Sequence, residues 1–203
     1  MEMPNDIILQ MLQELDQRME FEGCPPADLV VCGGAAFGLL KLHDRPTRDV
    51  DVLGGWDRAA RRITLIEAFD EKLQACIERV AQSHPELAGM GLDWINLGPR
   101  SLAKAGLPEG FANRLQQFRM GNRLTLHVLG RQDLLALKLY AAADDCRKRQ
   151  EIHFADLKGL SPTFEELDQA LEWVRTRRDF EVKRLVVKYV IERLGYDDLA
   201  YYV

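Results

Sequence analysis

The sequence predicts an α/β (α+β) chain: a small mixed sheet packed with helices, followed by a C-terminal helical bundle. Three observations predict it. A short apolar run at residues 28–32 and a second run at 47–53 each close on a glycine pair, Gly33-Gly34 and Gly54-Gly55, and read as strands. Alternating runs at 115–120 and 123–129 flank Gly121-Asn122, a hairpin signal. From Gln132 onward the apolar period is helical to the end. The chain therefore divides into an α/β core over 1–130 and a helical region over 131–203.

The elements follow in order. Residues 4–20 place Ile7, Ile8, Met11, Leu12, Leu15 and Met19 at helical spacing. Pro25-Pro26 breaks that helix. Residues 28–32 form the first strand, and 35–43 read as a short helix. Pro46 separates it from the second strand, 47–53, which Gly54-Gly55 ends. Residues 66–83 read as an amphipathic helix with Phe69, Leu73, Cys76, Ile77 and Val80 on one side. A third strand is expected at 91–97, then a Gly- and Pro-rich loop at 98–110, then the hairpin. Helices are expected at 132–146 and 152–159. Thr163 and Glu166 have capping-box spacing, opening a helix to about residue 177. A last helix at 180–194 stops at Gly195, a natural residue after a helix end.

Bulk properties narrow the class. The 203 residues are 47% hydrophobic, enough for a real core. No apolar run reaches membrane-spanning length, and the acidic, amphipathic N-terminus does not read as a signal peptide. No membrane partner is expected. The four cysteines are scattered without a C-x-x-C pair, which suits a reducing cytoplasm. Net charge is −5, unevenly spread. Residues 1–96 carry 9 basic and 17 acidic side chains, whereas 97–153 carry 10 and 5. An acidic part beside a basic one suits a metal-and-phosphate site, and equally suits a solvated surface.

Two short motifs carry chemistry. A strand that ends in Gly-Gly and passes into a helix lets backbone approach a ligand, and free N–H groups suit phosphate. A tight turn would also explain the glycines. Thr47-Arg48-Asp49-Val50-Asp51 then sets two carboxylates at i and i+2, on one strand face. Like charges side by side repel unless a cation lies between them. Mg²⁺ is such a cation, and two such ions can assist phosphoryl transfer. The competing reading is two exposed aspartates paired with Arg45 or Arg48.

Together, Gly33-Gly34, a short helix and Thr47-x-Asp49-x-Asp51 resemble the nucleotidyltransferase fold of the polymerase-β-like superfamily. Residues 133–142 and His153-x-x-Asp156-Leu157 look like the Lys-bearing helix and D-L element of AbiEii-type toxins. Trp94-Ile95-Asn96 resembles their small stand-alone relatives of unknown function. The resemblance covers most of residues 28–160. It implies a nucleotidyltransferase-like sheet and a nucleoside triphosphate substrate. Asp49 and Asp51 would be catalytic and hold Mg²⁺. Gly33 and Gly34 would contact the triphosphate, with Thr47 and Arg48 as further binding residues. Lys138 would reach a phosphate, with Asp156 orienting it. Lys138 also reads as a surface lysine whose stem covers the core.

Related enzymes usually add a third carboxylate from a later strand. Asp93 is the candidate metal ligand, Asn96 its rival, and Asp144-Asp145 a remoter source. The family pattern often has Ser where Gly34 stands, and an acidic residue where His153 stands. His43, His84 and His127 have no ligand partners at useful spacing. The implied acceptor is an RNA, a protein or a small molecule, with the basic segment receiving a nucleic acid. A cognate partner, as in a toxin–antitoxin pair, is the further implication. The alternative is a catalytically weak binding or regulatory module on the same fold.

Overall fold

The computed structural model describes residues 4–43, 46–84, 93–143 and 147–203. They pack as two compact units, Met1–Leu129 and Gly130–Val203. In the first unit the order is α1 (Asn5–Phe21), β1 (Ala27–Cys32), α2 (Gly33–Leu39), β2 (Val50–Asp57), β3 (Arg62–Thr64), α3 (Glu71–Ser83), β4 (Ile95–Asn96), α4 (Arg100–Ala105), α5 (Phe111–Arg114), β5 (Gln116–Arg119) and β6 (Leu124–Val128). The second holds α6 (Arg131–Ala141), α7 (Arg147–Leu160), α8 (Phe164–Arg175), α9 (Phe180–Arg193) and α10 (Asp197–Tyr201). No helix among the described residues is long and apolar enough to cross a membrane.

The sheet is mixed, in the order β3-β2-β1-β6-β5, with β4 paired to β2. β1 runs antiparallel to β2 and parallel to β6, and β5–β6 is the expected antiparallel hairpin. Its turn is tied down from a distance. Asp16 of α1 is buried and accepts the backbone N–H groups of Asn122, Arg123 and Leu124 at 3.1, 2.8 and 2.6 Å. A side chain at Gly121 would run into that carboxylate, so the turn position must be glycine.

Alternation gives the sheet two unlike faces. Leu29 and Val31 share one with Leu126 and Val128, their register partners on β6, and Phe118 lies opposite Leu126. Phe118 lines an apolar hollow with Ile8 and Leu9 of α1 and Ala35 of α2, so this face carries the helices. The other face bears Asp28, Cys32, Asp51, Asn96, Thr125 and His127 by register. One face is therefore core, and the other is rich in polar groups.

Several boundaries differ from the sequence reading. β2 starts at Val50 and runs through Gly54-Gly55 to Asp57 instead of ending there. The glycines let β3 and β1 crowd it: a Cβ on Gly54 would meet Thr64 O at 2.5 Å, and one on Gly55 would meet Thr64 Oγ1 at 2.6 Å. The second helix starts at Gly33 and ends at Leu39. α3 starts at Glu71, because the Asp70 side chain accepts from Lys72 N at 3.0 Å and caps it. Of the expected third strand only Ile95–Asn96 pairs, and residues 91–92 lie outside the described residues. The 98–110 loop contains α4, and β3 and α10 are additional elements.

In the helical unit the Thr163–Glu166 capping box forms in both directions. Glu166 also takes Arg131 of α6 bidentately, at 2.7 and 3.0 Å, joining α8 to α6. Burial raises the Glu166 pKa, but the guanidinium hydrogen bond outweighs it and holds the carboxyl below its usual value. Gly195, at φ 90°, follows α9 as expected.

Candidate functional site

The site is built where β1 ends and β2 begins. Cys32 closes β1 opposite Asp51. The next residue, Gly33, takes φ 74° and opens α2. That left-handed turn favours glycine. Space demands glycine as well, because a Cβ there would overlap Asp51 Oδ2. The glycine pair and the second aspartate are thus parts of one packed structure. Gly34 follows in the first turn of α2, and both glycines are buried.

Asp49 stands just before β2 and Asp51 within it, both half-buried. Thr47 is buried, and its hydroxyl donates to Asp49 O at 3.4 Å, while Arg48 is exposed. β4 supplies the third side chain. Val50 N donates to Trp94 O at 2.7 Å, and Asp51 pairs with Asn96. Asn96 Nδ2 donates to Asp49 Oδ2 at 3.1 Å, and its Oδ1 accepts from Gly98 N at 2.8 Å. The Trp94 indole donates to Ile77 O at 3.0 Å and is 1% exposed, which anchors β4 to α3.

The sequence left Asp93 and Asn96 as rivals for this position. The structure places Asn96 beside Asp49 and Asp51, with Asp93 exposed ahead of β4. Among the described residues no three His, Cys, Asp or Glu side chains gather as a metal site. Asp144 and Asp145 lie outside the described residues.

Lys138 and Asp156 meet in the helical unit. Lys138 Nζ of α6 lies 2.6 Å from Asp156 Oδ2 of α7, with Asp156 fully buried and the lysine side chain 10% exposed. His153 Nδ1 is 3.4 Å from the same ammonium. Lys138 is therefore an interior cation, not a lysine reaching for water.

One polar cluster escaped the sequence reading. His127, at 5% exposure, sets Nε2 2.7 Å from Asp28 Oδ1. Arg58 donates to the same oxygen at 2.8 Å and to Thr125 Oγ1 at 3.1 Å. Trp56 lies against the imidazole with ring centroids 5.6 Å apart. Asp28 and His127 are 99 residues apart, so no local spacing announces them. The only sequence trace is the alternation of Arg123, Thr125 and His127 along β6.

No curated protein and no solved structure matches the chain with significance. A family model matches residues 8–191, nearly all of the sequence. The chain therefore belongs to that family, DUF6036, described as "Nucleotidyltransferase of unknown function".

Proposed function

We propose that the chain is a Mg²⁺-dependent nucleotidyltransferase that moves a nucleotidyl group from a nucleoside triphosphate to a hydroxyl on an RNA, a protein or a small molecule. The observation that carries this reading is the Gly33 turn packed against the Asp51 carboxylate, with Asp49 and Asn96 beside it. The donor set fits the cation. Mg²⁺ is held by one or two protein carboxylates and fills its remaining positions with water and substrate phosphates. Asp49 and Asp51 would hold it. Once bound, it would neutralise charge on the triphosphate as pyrophosphate departs.

The chain's own residues do the rest. Gly33 and Gly34, at the turn from β1 into α2, are the residues assigned to the phosphates. Asn96, bonded to Asp49, fixes where that carboxylate points. Thr47 and Arg48 lead into the pair. In the transfer, the acceptor oxygen bonds to the α-phosphorus and the bond to pyrophosphate breaks. The acceptor's proton leaves to solvent.

A second reading keeps the fold as a binding or regulatory module without turnover. Asn96 favours it, since an amide stands where related enzymes usually set a carboxylate. The test incubates the protein with each labelled triphosphate, Mg²⁺ and total RNA or lysate. Label transfer that disappears in Asp49→Ala and Asp51→Ala supports the enzyme. Metal-dependent binding without transfer, with a partner protein co-purifying, supports the module. Neither transfer nor binding sinks the nucleotidyltransferase reading.

A further inference from the structure

The polar face of the sheet extends beyond the aspartate pair. His127 lies opposite Val30 on β1, and Asp51 lies opposite Cys32 on the other side of the same strand. Partners across a ladder share a face, so the imidazole and the carboxylate project from the same side. They are two strands and two residues apart. At roughly 4.8 Å between strands and 3.3 Å per residue, their Cα atoms are on the order of 12 Å apart. That separation suits a nucleoside whose phosphates lie at Asp51.

The side chains there suit a nucleoside as well. The Asp28 carboxylate can only accept, so the imidazole proton sits on Nε2. In the neutral ring Nδ1 then presents its lone pair, and among the described residues no group donates to it. Trp56 offers a half-buried indole, lying at 38° to the imidazole and met edge-on by Phe111 at 6.4 Å between centroids. Arg58 fixes Asp28 from the solvent side. An aromatic surface beside a fixed hydrogen-bond acceptor recognises a flat heterocycle by stacking and edge contact.

We propose that Trp56 and His127, oriented by Asp28, form the nucleobase end of the triphosphate site. Trp56 stacks on the base and His127 Nδ1 accepts from an N–H on its edge. The proposal rests on the nucleotidyltransferase reading for the position of the phosphates.

Calorimetry on the full chain tests it, using ATP, CTP, GTP, UTP and inorganic tripolyphosphate, each with Mg²⁺. Wild type is expected to bind at least one nucleotide more tightly than tripolyphosphate. Trp56→Ala should weaken that nucleotide about tenfold or more, a typical cost of losing a base–aromatic stack. Its tripolyphosphate affinity should stay unchanged, which also shows that the variant is folded. Trp56→Phe should recover most of the loss, and His127→Gln should flatten the preference among the four bases. The proposal is overturned if Trp56→Ala keeps the nucleotide advantage, or if wild type binds tripolyphosphate as tightly as every nucleotide. Those results leave the phosphate site standing. Wild type that binds neither tripolyphosphate nor any nucleotide overturns both this proposal and the reading beneath it.

Discussion

Asp51 and Asp156 are both carboxylates at predicted functional positions, yet their surroundings are opposite. Asp51 is half-buried in the sheet of the first unit, pressed against a glycine and paired in register with an asparagine. Asp156 is fully buried in the helical unit, 2.6 Å from a lysine ammonium. A charge taken out of water needs a partner with good geometry, or it destabilises the fold. Asp156 has such a partner inside its own unit, so folding depends on it. Asp51 is only half-buried, and the proposed function gives it a role in binding. Stability and ligand affinity should therefore respond in opposite proportion at the two places.

The largest loss of stability belongs to the buried pair. Lys138→Met removes the amine that lies 2.6 Å from the buried Asp156 carboxyl, and should lower unfolding stability by about 3–5 kcal/mol. Denaturant titration followed by circular dichroism measures it. Lys138→Met combined with Asp156→Leu should recover much of the loss, since removing one member of a buried pair costs more than replacing both. Equal destabilisation in the single and double variants would break the comparison.

Next comes Gly33. Alanine there must hold a positive φ and place a Cβ on the Asp51 carboxylate. The strained backbone alone costs about 1–3 kcal/mol. The clash displaces Asp51, so Mg²⁺–triphosphate affinity should fall together with stability. Gly23 is a useful control: it also has positive φ, but a Cβ there meets nothing within 4 Å. Gly23→Ala should show the strain cost without the loss of affinity, as read by thermal melts and calorimetry side by side.

The same contrast explains what the sequence could disclose. Gly33 and Asp51 were legible together because strand alternation and a glycine turn are local signals, and one strand pairing brings them into contact. The hairpin around Gly121-Asn122 and the Thr163 cap were legible for the same reason. Asp16 under that hairpin was not, because it lies more than a hundred residues away and belongs to a helix read by its apolar side. The passage of β2 through Gly54-Gly55 was missed because the crowding by Thr64 exists only once β3 has folded back. The choice of Asn96 over Asp93 needed the pairing of β4 with β2, a two-residue contact with almost no periodicity of its own. His127 looked partnerless because its partner arrives through a parallel pairing across 99 residues.

A smaller effect is expected from the Arg131–Glu166 pair, which joins two helices at their solvent edge. Both side chains are about one-third exposed, so the pair should contribute about 1 kcal/mol or less. Its pH dependence has a definite sign. The guanidinium lowers the Glu166 pKa below the usual 4.5, so this stabilisation is fully present above that value. It is lost as pH falls through the lowered value. Unfolding curves from pH 7 to pH 3 should show wild type converging on Glu166→Gln at the acid end. A constant gap across the range would mean that the charge on Glu166 does no work there.

The smallest stability effect should come from Asp51 itself. Asparagine keeps the shape that packs on Gly33 and removes one of two like charges, which relieves repulsion. Unfolding free energy should change by less than about 1 kcal/mol. Mg²⁺-dependent triphosphate binding should nevertheless be lost, because an amide replaces a carboxylate that hard cations prefer. Denaturant titration and calorimetry on the same Asp51→Asn preparation supply both numbers. Retained binding would remove Asp51 from the cation site. A stability loss as large as that of Lys138→Met would mean that the sheet, like the helix interior, keeps its carboxylate for folding.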